Sequence, residues 1–238
     1  NLVKLYDDLI SGNYEISESI CFIVLYPKPR EVWAACFRDR VVHHLIYNEI
    51  SKRFYNRFIK DTYSCIPERG TTNAVKTLKR YVRAVTNDYT ETAYYLKADL
   101  KNFFVSIDKN ILYAEIKKLV PEDWLLKLIK QVIFHDCKTK VEIKSSKWKF
   151  DLLPTYKSLW YTPDEKGLPI GNLTSQFFSN VYLNVLDQYV KHHWKCKYYC
   201  RYVDDFIILD KDPQKLNEIH KDLTRFLKAV SYTHLRAH

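Results

Sequence analysis

Glycine usage is the feature of this sequence that most narrows the choice of fold. The 238 residues include only four glycines, and two of them, Gly167 and Gly171, lie within five residues. Average usage of ~7% would give about 17 glycines in a chain of this length. Phosphate-binding loops and dinucleotide-binding turns need glycine clusters between a strand and a helix. The sequence therefore excludes the commonest nucleotide-hydrolase folds.

The composition indicates a folded chain. Hydrophobic residues make up 47% of the sequence, with 19 Tyr, 12 Phe and 5 Trp, so a sizeable core can form and wholesale disorder is excluded. At ~150 residues per domain, the length predicts one large or two small domains. No apolar run approaches the ~18 residues of a membrane span, and the first residues lack the apolar region of a secretory signal.

Positive charge predicts a polyanionic partner. The formal net charge is +10 and the isoelectric point is about 9.1. Much of the excess lies in residues 52–83, which hold nine basic and two acidic side chains. Such a segment is typical of nucleic-acid binding, and a solvated helix face is the alternative interpretation.

Cysteine and methionine usage bear on the origin of the chain. The six cysteines are scattered without the spacing of a small disulfide scaffold, which predicts reduced thiols and a cytoplasmic location. Methionine is absent, even at the first position, so we expect the chain to be a fragment. Residues 231–238 depart from the pattern before them and are predicted to be a non-native tail.

Hydrophobic periodicity predicts the main elements. Strands are predicted over 20–26 and 94–100, and a hairpin over 198–209. An irregular stretch is predicted over 135–166. Helices are predicted over 31–58, 72–85, 108–119, 122–134, 175–191 and 213–229. In the second helix, the predicted apolar stripe is Val75, Leu78, Tyr81 and Val82.

Two short stretches carry acidic residues beside apolar strands. Asp99 ends the strand at 94–100, where alternation places it with Tyr95 and Lys97 on the face away from the core. The second stretch is Tyr202-Val203-Asp204-Asp205, at the tip of the predicted hairpin. Either stretch alone is compatible with a solvated turn or strand end.

A third stretch, residues 167–176, joins a glycine-containing loop to a helix. Glycine allows the backbone to approach a ligand closely, and Thr174 or Ser175 is predicted to cap the helix. Alone, this stretch is an ordinary loop-to-helix turn.

Together, and in this order, the three stretches resemble the palm of a reverse transcriptase. Residues 38–44 and 69–74 are similar to the first two finger blocks of that family, also in the family's order. Residues 168–176 resemble the variant found in diversity-generating retroelements, because Ile170 and Gln176 replace the residues usual in group II intron and retron enzymes. A group II intron, retron or defence-system enzyme, and a non-catalytic nucleic-acid-binding remnant, are the alternatives.

The resemblance implies an α/β (α+β) fold. A right-hand palm with a small antiparallel sheet and helices would take residues 91–120 and 167–230. Mainly helical fingers would take 1–90 and 121–166, and the thumb would be missing.

The resemblance also implies two-metal nucleotidyl transfer. That reaction uses two divalent ions ~3.5–4 Å apart, and Mg²⁺ prefers hard oxygen ligands, with Mn²⁺ as a substitute. Asp99 and Asp204 would bridge the ions, Asp205 would tune the field or help to position the primer side, and the Leu100 carbonyl would be a further ligand. The predicted catalytic residues are therefore Asp99, Asp204 and Asp205.

The remaining predicted site residues would bind nucleotide and nucleic acid. Arg69 would clamp the triphosphate with its planar donor fork, although Ile66 stands where relatives often have another basic residue. Phe104 would exclude a 2′-hydroxyl, and the aliphatic Ile170 would give low fidelity because it offers no polar readout. The predicted nucleotide-binding residues are Arg69, Asn102, Phe103, Phe104, Ile170, Gly171 and Gln176. The predicted nucleic-acid-binding residues are Lys76, Lys79, Arg80, Arg83 and Tyr202.

The partners implied are a template RNA, a DNA primer and deoxynucleoside triphosphates. A small basic accessory protein is also implied, in a bacterial or phage-encoded system in the cytoplasm, with no membrane partner.

Overall fold

The computed structural model describes residues 2–230 and the backbone of residues 235–237. The helices are α1 (Leu2–Ile10), α2 (Phe37–Tyr55), α3 (Thr71–Val85), α4 (Phe103–Ser106), α5 (Lys109–Lys117), α6 (Asp123–Phe134), α7 (Lys147–Asp151), α8 (Leu173–Gln188) and α9 (Pro213–Ala229). The strands are β1 (Ser19–Val24), β2 (Arg30–Ala35), β3 (Tyr94–Leu100), β4 (Val141–Ile143), β5 (Tyr198–Tyr202), β6 (Asp205–Asp210) and β7 (Leu235–Ala237). A π-helical turn, Tyr189–His193, follows α8.

The chain divides into two compact units. Unit 1 comprises Asn1–Lys52 and Asp108–Phe178, and unit 2 comprises Arg53–Ile107 and Ser179–His238. Unit 1 holds a three-stranded sheet in the order β2-β1-β4, and unit 2 holds a four-stranded antiparallel sheet in the order β5-β6-β3-β7. The predicted α/β class is confirmed, whereas the palm and finger boundaries stay predictions.

Two further predictions concern the C-terminal tail and membrane-spanning segments. The predicted non-native tail falls partly on residues 231–234 and 238, which lie outside the described residues, while residues 235–237 form β7. In the described part of the chain, no helix is long and apolar enough to span a membrane.

Helix α9 shows how local sequence positions the sheet of unit 2. Asp212 caps the helix by accepting a hydrogen bond from the Gln214 N–H at 2.8 Å, and Pro213 suits the first turn because its missing N–H is not needed there. The helix packs against β3 and β6. Its buried side chains recur at helical spacing: Leu216, Ile219, Leu223 and Leu227. Burial of each contributes about 1.5–3 kcal/mol, and the predicted bounds are confirmed.

The predicted helix over 31–58 is wrong at its start, because β2 occupies Arg30–Ala35 and α2 begins only at Phe37. Alternate residues of β2 are buried, among them the carboxylate of Glu31. That carboxylate accepts hydrogen bonds from Trp33 Nε1 at 2.6 Å, Ser158 Oγ at 2.6 Å and the Leu159 N–H at 2.8 Å. One local donor and two donors far along the chain thus pair the buried carboxylate, and local periodicity does not predict the two distant ones.

Helix α3 forms where predicted, but its buried stripe is rotated. Ala74 and Val85 are buried, whereas Val75 is 48% exposed. The stripe follows Ala74, Leu78, Tyr81 and Val85, so the prediction of Val75 as a core residue is wrong.

In unit 1, two hydrogen bonds join the loop before α8 to β2. The Trp33 N–H donates to the Ile170 carbonyl at 2.7 Å, and the Ala35 N–H donates to Asn172 Oδ1 at 3.0 Å. Helix α8 begins at Leu173, so Thr174 and Ser175 lie inside its first turn rather than capping it. Thr174 Oγ1 instead bonds His43 Nδ1 at 2.6 Å. Burial lowers the pKa of His43 to about 4, so its ring is neutral near pH 7.

Gly171 makes this attachment possible. Its φ is +129°, and a Cβ there would lie 2.8 Å from the Trp33 carbonyl oxygen. We expect Gly171→Ala to lower the free energy of unfolding by at least about 2 kcal/mol, because it adds backbone strain and a steric clash. Urea denaturation measures this loss.

Gly70→Ala is the matched control, because a Cβ at Gly70 meets nothing within 4 Å and φ there is −162°. We expect that change to cost under about 1 kcal/mol, as a weaker helix cap. Equal losses for the two variants would contradict the close approach at Gly171.

Candidate active site

Strand pairing in unit 2 brings the acidic residues of β3 and of the β5–β6 turn together. Ala98 is the β3 residue opposite Phe206, and Tyr202 is the β5 residue opposite Asp205. Continuing the β3–β6 ladder by one residue places Asp99 beside Asp205. Opposed residues of antiparallel strands have Cα atoms about 5 Å apart, so Asp99, Asp204 and Asp205 lie at one end of one sheet.

The burial of β3 fixes the face on which Asp99 lies. Leu96, Ala98 and Leu100 are buried, whereas Lys97 is exposed and Asp99 is half-buried. The predicted alternation is confirmed. The Asp99 carboxylate therefore projects from the sheet face opposite the packed core.

The β5–β6 turn holds its acids on a strained backbone. Val203 and Asp204 form the two-residue loop, and Val203 has φ +56°. A β-branched residue in this region is a conformational outlier, which persists only where surrounding contacts impose it. Asp204 is half-buried and Asp205 is exposed.

The donor set at this sheet end suits a hard divalent cation. Carboxylate oxygens are the ligands that Mg²⁺ prefers, and Mg²⁺ usually takes one or two carboxylates plus water and substrate phosphates. Among the described residues, no group of three or more His, Cys, Asp or Glu side chains is arranged so that it could hold a metal ion. An open site completed by substrate fits this arrangement better than a protein-only cage.

The segment after β3 holds three of the four predicted nucleotide-binding residues that belong to unit 2. Asn102 has φ +55° and precedes the short helix α4. The Phe103 side chain is buried against Tyr182, with ring centroids 6.2 Å apart, whereas Phe104 is half-buried. The Phe103 side chain is therefore inaccessible to a ligand, while Phe104 has a partly accessible ring.

Arg69 lies in the loop before α3, and part of its guanidinium is already engaged. Nη1 donates to the carbonyl oxygens of Ile59 at 2.7 Å and Thr62 at 3.2 Å. Within the described residues, Nε and Nη2 of Arg69 form no hydrogen bond to protein. The loop contacts thus orient the half-buried Arg69 guanidinium, and its Nε and Nη2 groups can still donate to a ligand.

Three of the predicted nucleotide-binding residues belong to unit 1. The Ile170 carbonyl is bonded to β2, Gly171 packs on Trp33, and Gln176 is exposed in the first turn of α8.

Four of the five predicted nucleic-acid-binding residues lie on α3, and the fifth, Tyr202, ends β5. Lys76, Lys79, Arg80 and Arg83 are all exposed, and Tyr202 is 39% exposed, with its hydroxyl accepting from Thr71 Oγ1 at 3.1 Å. Arg83 pairs with Asp88 at 2.6 Å. In the described part of the chain, Lys76 and Lys79 form no ion pair, so both cations are available to a polyanion.

Sequence reasoning missed a buried cluster beneath the acidic turn. Arg201 and Asp187 form an ion pair in which both side chains are 0% exposed. A signal exists in the sequence, since each is a charged residue within an apolar strand or helix. Their pairing across 14 residues has no local pattern that would reveal it.

The chain is similar to known proteins over most of its length. Residues 27–234 match the family model for reverse transcriptase (RNA-dependent DNA polymerase). Protein YkfC of Escherichia coli (strain K12) is 21% identical over an alignment of 240 residues. The alignment covers 87% of this chain and 58% of that protein. The chain therefore spans less than two thirds of this curated relative.

Solved telomerase structures share the fold. Candida albicans telomerase, in complex with a TWJ fragment of telomeric RNA, is 12% identical with a TM-score of 0.56, covering 99% of this chain and 47% of that one. Apo telomerase of Candida tropicalis is 11% identical with a TM-score of 0.58, covering 99% and 48%. Together with the family match over residues 27–234, this fold places the chain in the reverse transcriptase (RNA-dependent DNA polymerase) family.

Proposed function

We propose that this chain carries the nucleotidyl-transfer site of an RNA-directed DNA polymerase. The observation that carries the proposal is the strand register that brings Asp99 beside the Asp204-Asp205 turn. Membership of the reverse transcriptase family makes this sheet end the place to expect the reaction. Template RNA, a DNA primer and deoxynucleoside triphosphates are the proposed substrates.

In this proposal, the two strands supply a shared set of cation ligands. Two bound Mg²⁺ ions, or Mn²⁺ in their place, would activate the primer hydroxyl and stabilise the leaving phosphate oxygen. Asp99 and Asp204 would hold the ions from the β3 end and from the turn, with the Leu100 carbonyl as a further ligand. Asp205 would set the local field on the primer side.

Other residues of unit 2 would position the substrates. Arg69 would bind triphosphate oxygens through its planar fork, beside the Asn102 and Phe103 amides, and Phe104 would favour deoxynucleotides by excluding a 2′-hydroxyl. The exposed cations of α3 would bind phosphates of the template–primer duplex without reading sequence. The RNA held by the C. albicans telomerase structure supports an RNA partner.

We further propose that the enzyme belongs to a diversity-generating retroelement and copies its template with errors opposite template adenine, as the resemblance to that group implies. Residues 168–176, with Ile170 and Gln176, support this assignment. An aliphatic side chain at Ile170 has no donor with which to test base-pair geometry. A small basic accessory protein and a bacterial or phage-encoded origin in the cytoplasm complete the proposal.

Asp204→Asn tests the catalytic assignment. We expect primer extension on RNA with Mg²⁺ to fall by more than about 100-fold in the full-length protein, because a metal ligand is lost while side-chain size is kept. Circular dichroism checks that the variant is folded.

Asp210→Asn is the matched control, because Asp210 lies at the end of β6 away from the Asp204 turn and pairs with Lys215 at 2.6 Å. We expect near wild-type extension, since a partly exposed ion pair contributes little. Wild-type primer extension by Asp204→Asn would refute the proposed site. An equal loss of extension in both variants would indicate a general loss of fold.

Ile170→Gln tests the fidelity assignment. We expect misincorporation opposite template adenine to fall about fivefold, since one net hydrogen bond contributes about 1 kcal/mol. Sequencing of the cDNA products measures the error spectrum. Ile170→Leu should keep the wild-type spectrum, and an unchanged spectrum in Ile170→Gln would refute a role for this side chain in base selection.

A further inference from the structure

A fully buried ion pair lies within unit 2, beneath the acidic turn. Arg201 Nε donates to Asp187 Oδ1 at 2.7 Å, and Arg201 Nη2 donates to Asp187 Oδ2 at 2.6 Å. Both side chains are 0% exposed. Desolvation makes such pairs a poor source of stability, and well-packed apolar residues often replace them without loss. The pair therefore calls for an explanation other than stability.

Neighbouring side chains saturate the carboxylate of Asp187. The Tyr199 hydroxyl donates to Oδ1 at 2.6 Å, and the Thr62 hydroxyl donates to Oδ2 at 2.8 Å. Burial, followed by the charge of Asp187, raises the pKa of Tyr199 well above its ordinary value, so the phenol stays a donor. With four hydrogen bonds accepted, Asp187 holds the Arg201 guanidinium in one orientation.

The third guanidinium nitrogen reaches the turn itself. Arg201 Nη1 donates to the Val203 carbonyl at 2.7 Å and to Asn180 Oδ1 at 3.2 Å. Val203 is the residue at φ +56°, and its carbonyl belongs to the peptide that leads into Asp204. The anchored carbonyl is thus adjacent to the proposed cation ligand.

The backbone around Arg201 is fixed as well. Its N–H donates to the Asp61 carbonyl at 2.9 Å, and its carbonyl accepts from the Tyr63 N–H at 3.1 Å. Asn180 Nδ2 donates to the Ser64 carbonyl at 2.7 Å. These contacts fix the backbone that carries the Arg201 guanidinium. A strained turn persists in one conformation only when such surrounding contacts impose it.

We propose that Arg201 is a positioning residue for the polymerase reaction: oriented by Asp187, it holds the Val203 carbonyl and so keeps the strained turn that presents Asp204 and Asp205 to the cations. This inference rests on the proposed function, which it deepens. Without the anchor, Val203 would leave its unfavourable backbone region, and the cation-binding turn would be only a minor population.

The test replaces both charges together, as Arg201→Met with Asp187→Leu, so that no unpaired charge stays buried. Binding of Mn²⁺, in the presence of a deoxynucleoside triphosphate, is measured by electron paramagnetic resonance on the full-length protein. We expect a folded protein whose apparent Kd for Mn²⁺ rises about tenfold or more, because the competent turn is depopulated. Primer extension should require correspondingly more Mg²⁺.

Rescue separates positioning from a merely structural role. Adding Val203→Gly to the double variant should recover much of the Mn²⁺ affinity, because glycine adopts positive φ without the steric penalty. If the double variant fails to fold, Arg201→Lys replaces it, since lysine keeps the charge but cannot hold Asp187 bidentately and Val203 at once. The same weakening of Mn²⁺ binding is expected.

The control is Asp222→Asn, which loosens another polar cluster of unit 2, where Asp222 accepts from Tyr189 at 2.7 Å and Trp194 at 2.8 Å. Its Mn²⁺ affinity should match wild type even if its melting temperature falls. Wild-type Mn²⁺ affinity in the folded double variant, or in Arg201→Lys, would overturn the positioning role of Arg201 and leave the proposed function standing. Absence of Mn²⁺ binding and extension in the wild-type protein would overturn the proposed function itself.

Discussion

The pairing of β3 with β6 places Ala98 opposite Phe206, and the position of every acidic residue at the candidate site depends on that register. A slip of one residue would turn Asp99 into the core and expose Ala98, because side chains alternate between the two faces of a strand. Burial of Leu96, Ala98 and Leu100 disfavours such a slip. The hydrophobic effect thus fixes the geometry of a polar site.

Buried polar contacts then refine what the apolar core establishes. Glu31 in unit 1 and Arg201 in unit 2 are both almost completely buried, and each is surrounded by several hydrogen-bond partners. Burying a charge costs free energy, so such clusters are a poor source of net stability unless every buried polar atom is paired. In unit 1 the cluster binds a strand edge to residues 158–159, and in unit 2 it holds a turn that the Val203 backbone would not otherwise keep.

Sequence periodicity predicts the elements whose buried face follows a regular apolar repeat. Helix α9 and strand β3 follow their apolar repeats, and the position of Asp99 on the outer face follows from simple alternation. The β2 strand was missed because its buried Glu31 depends on Ser158 and Leu159, far along the chain. Arg201 was missed for the same reason, since its partner Asp187 lies on another element and no spacing rule links the two. Short motifs therefore suffice to predict the family, which the match over residues 27–234 confirms, whereas the buried contacts beneath those motifs cannot be predicted from the sequence.

In the proposed site, Asp99 and the Asp204-Asp205 turn bind one pair of divalent cations. Anomalous diffraction from crystals of the full-length protein with Mn²⁺, primer–template and a non-hydrolysable deoxynucleoside triphosphate would locate those cations. We expect two Mn²⁺ peaks about 3.5–4 Å apart, in contact with the Asp99 and Asp204 carboxylates. Well-ordered nucleotide with Mn²⁺ bound elsewhere, and neither carboxylate within coordination distance of it, would refute the proposed cation site.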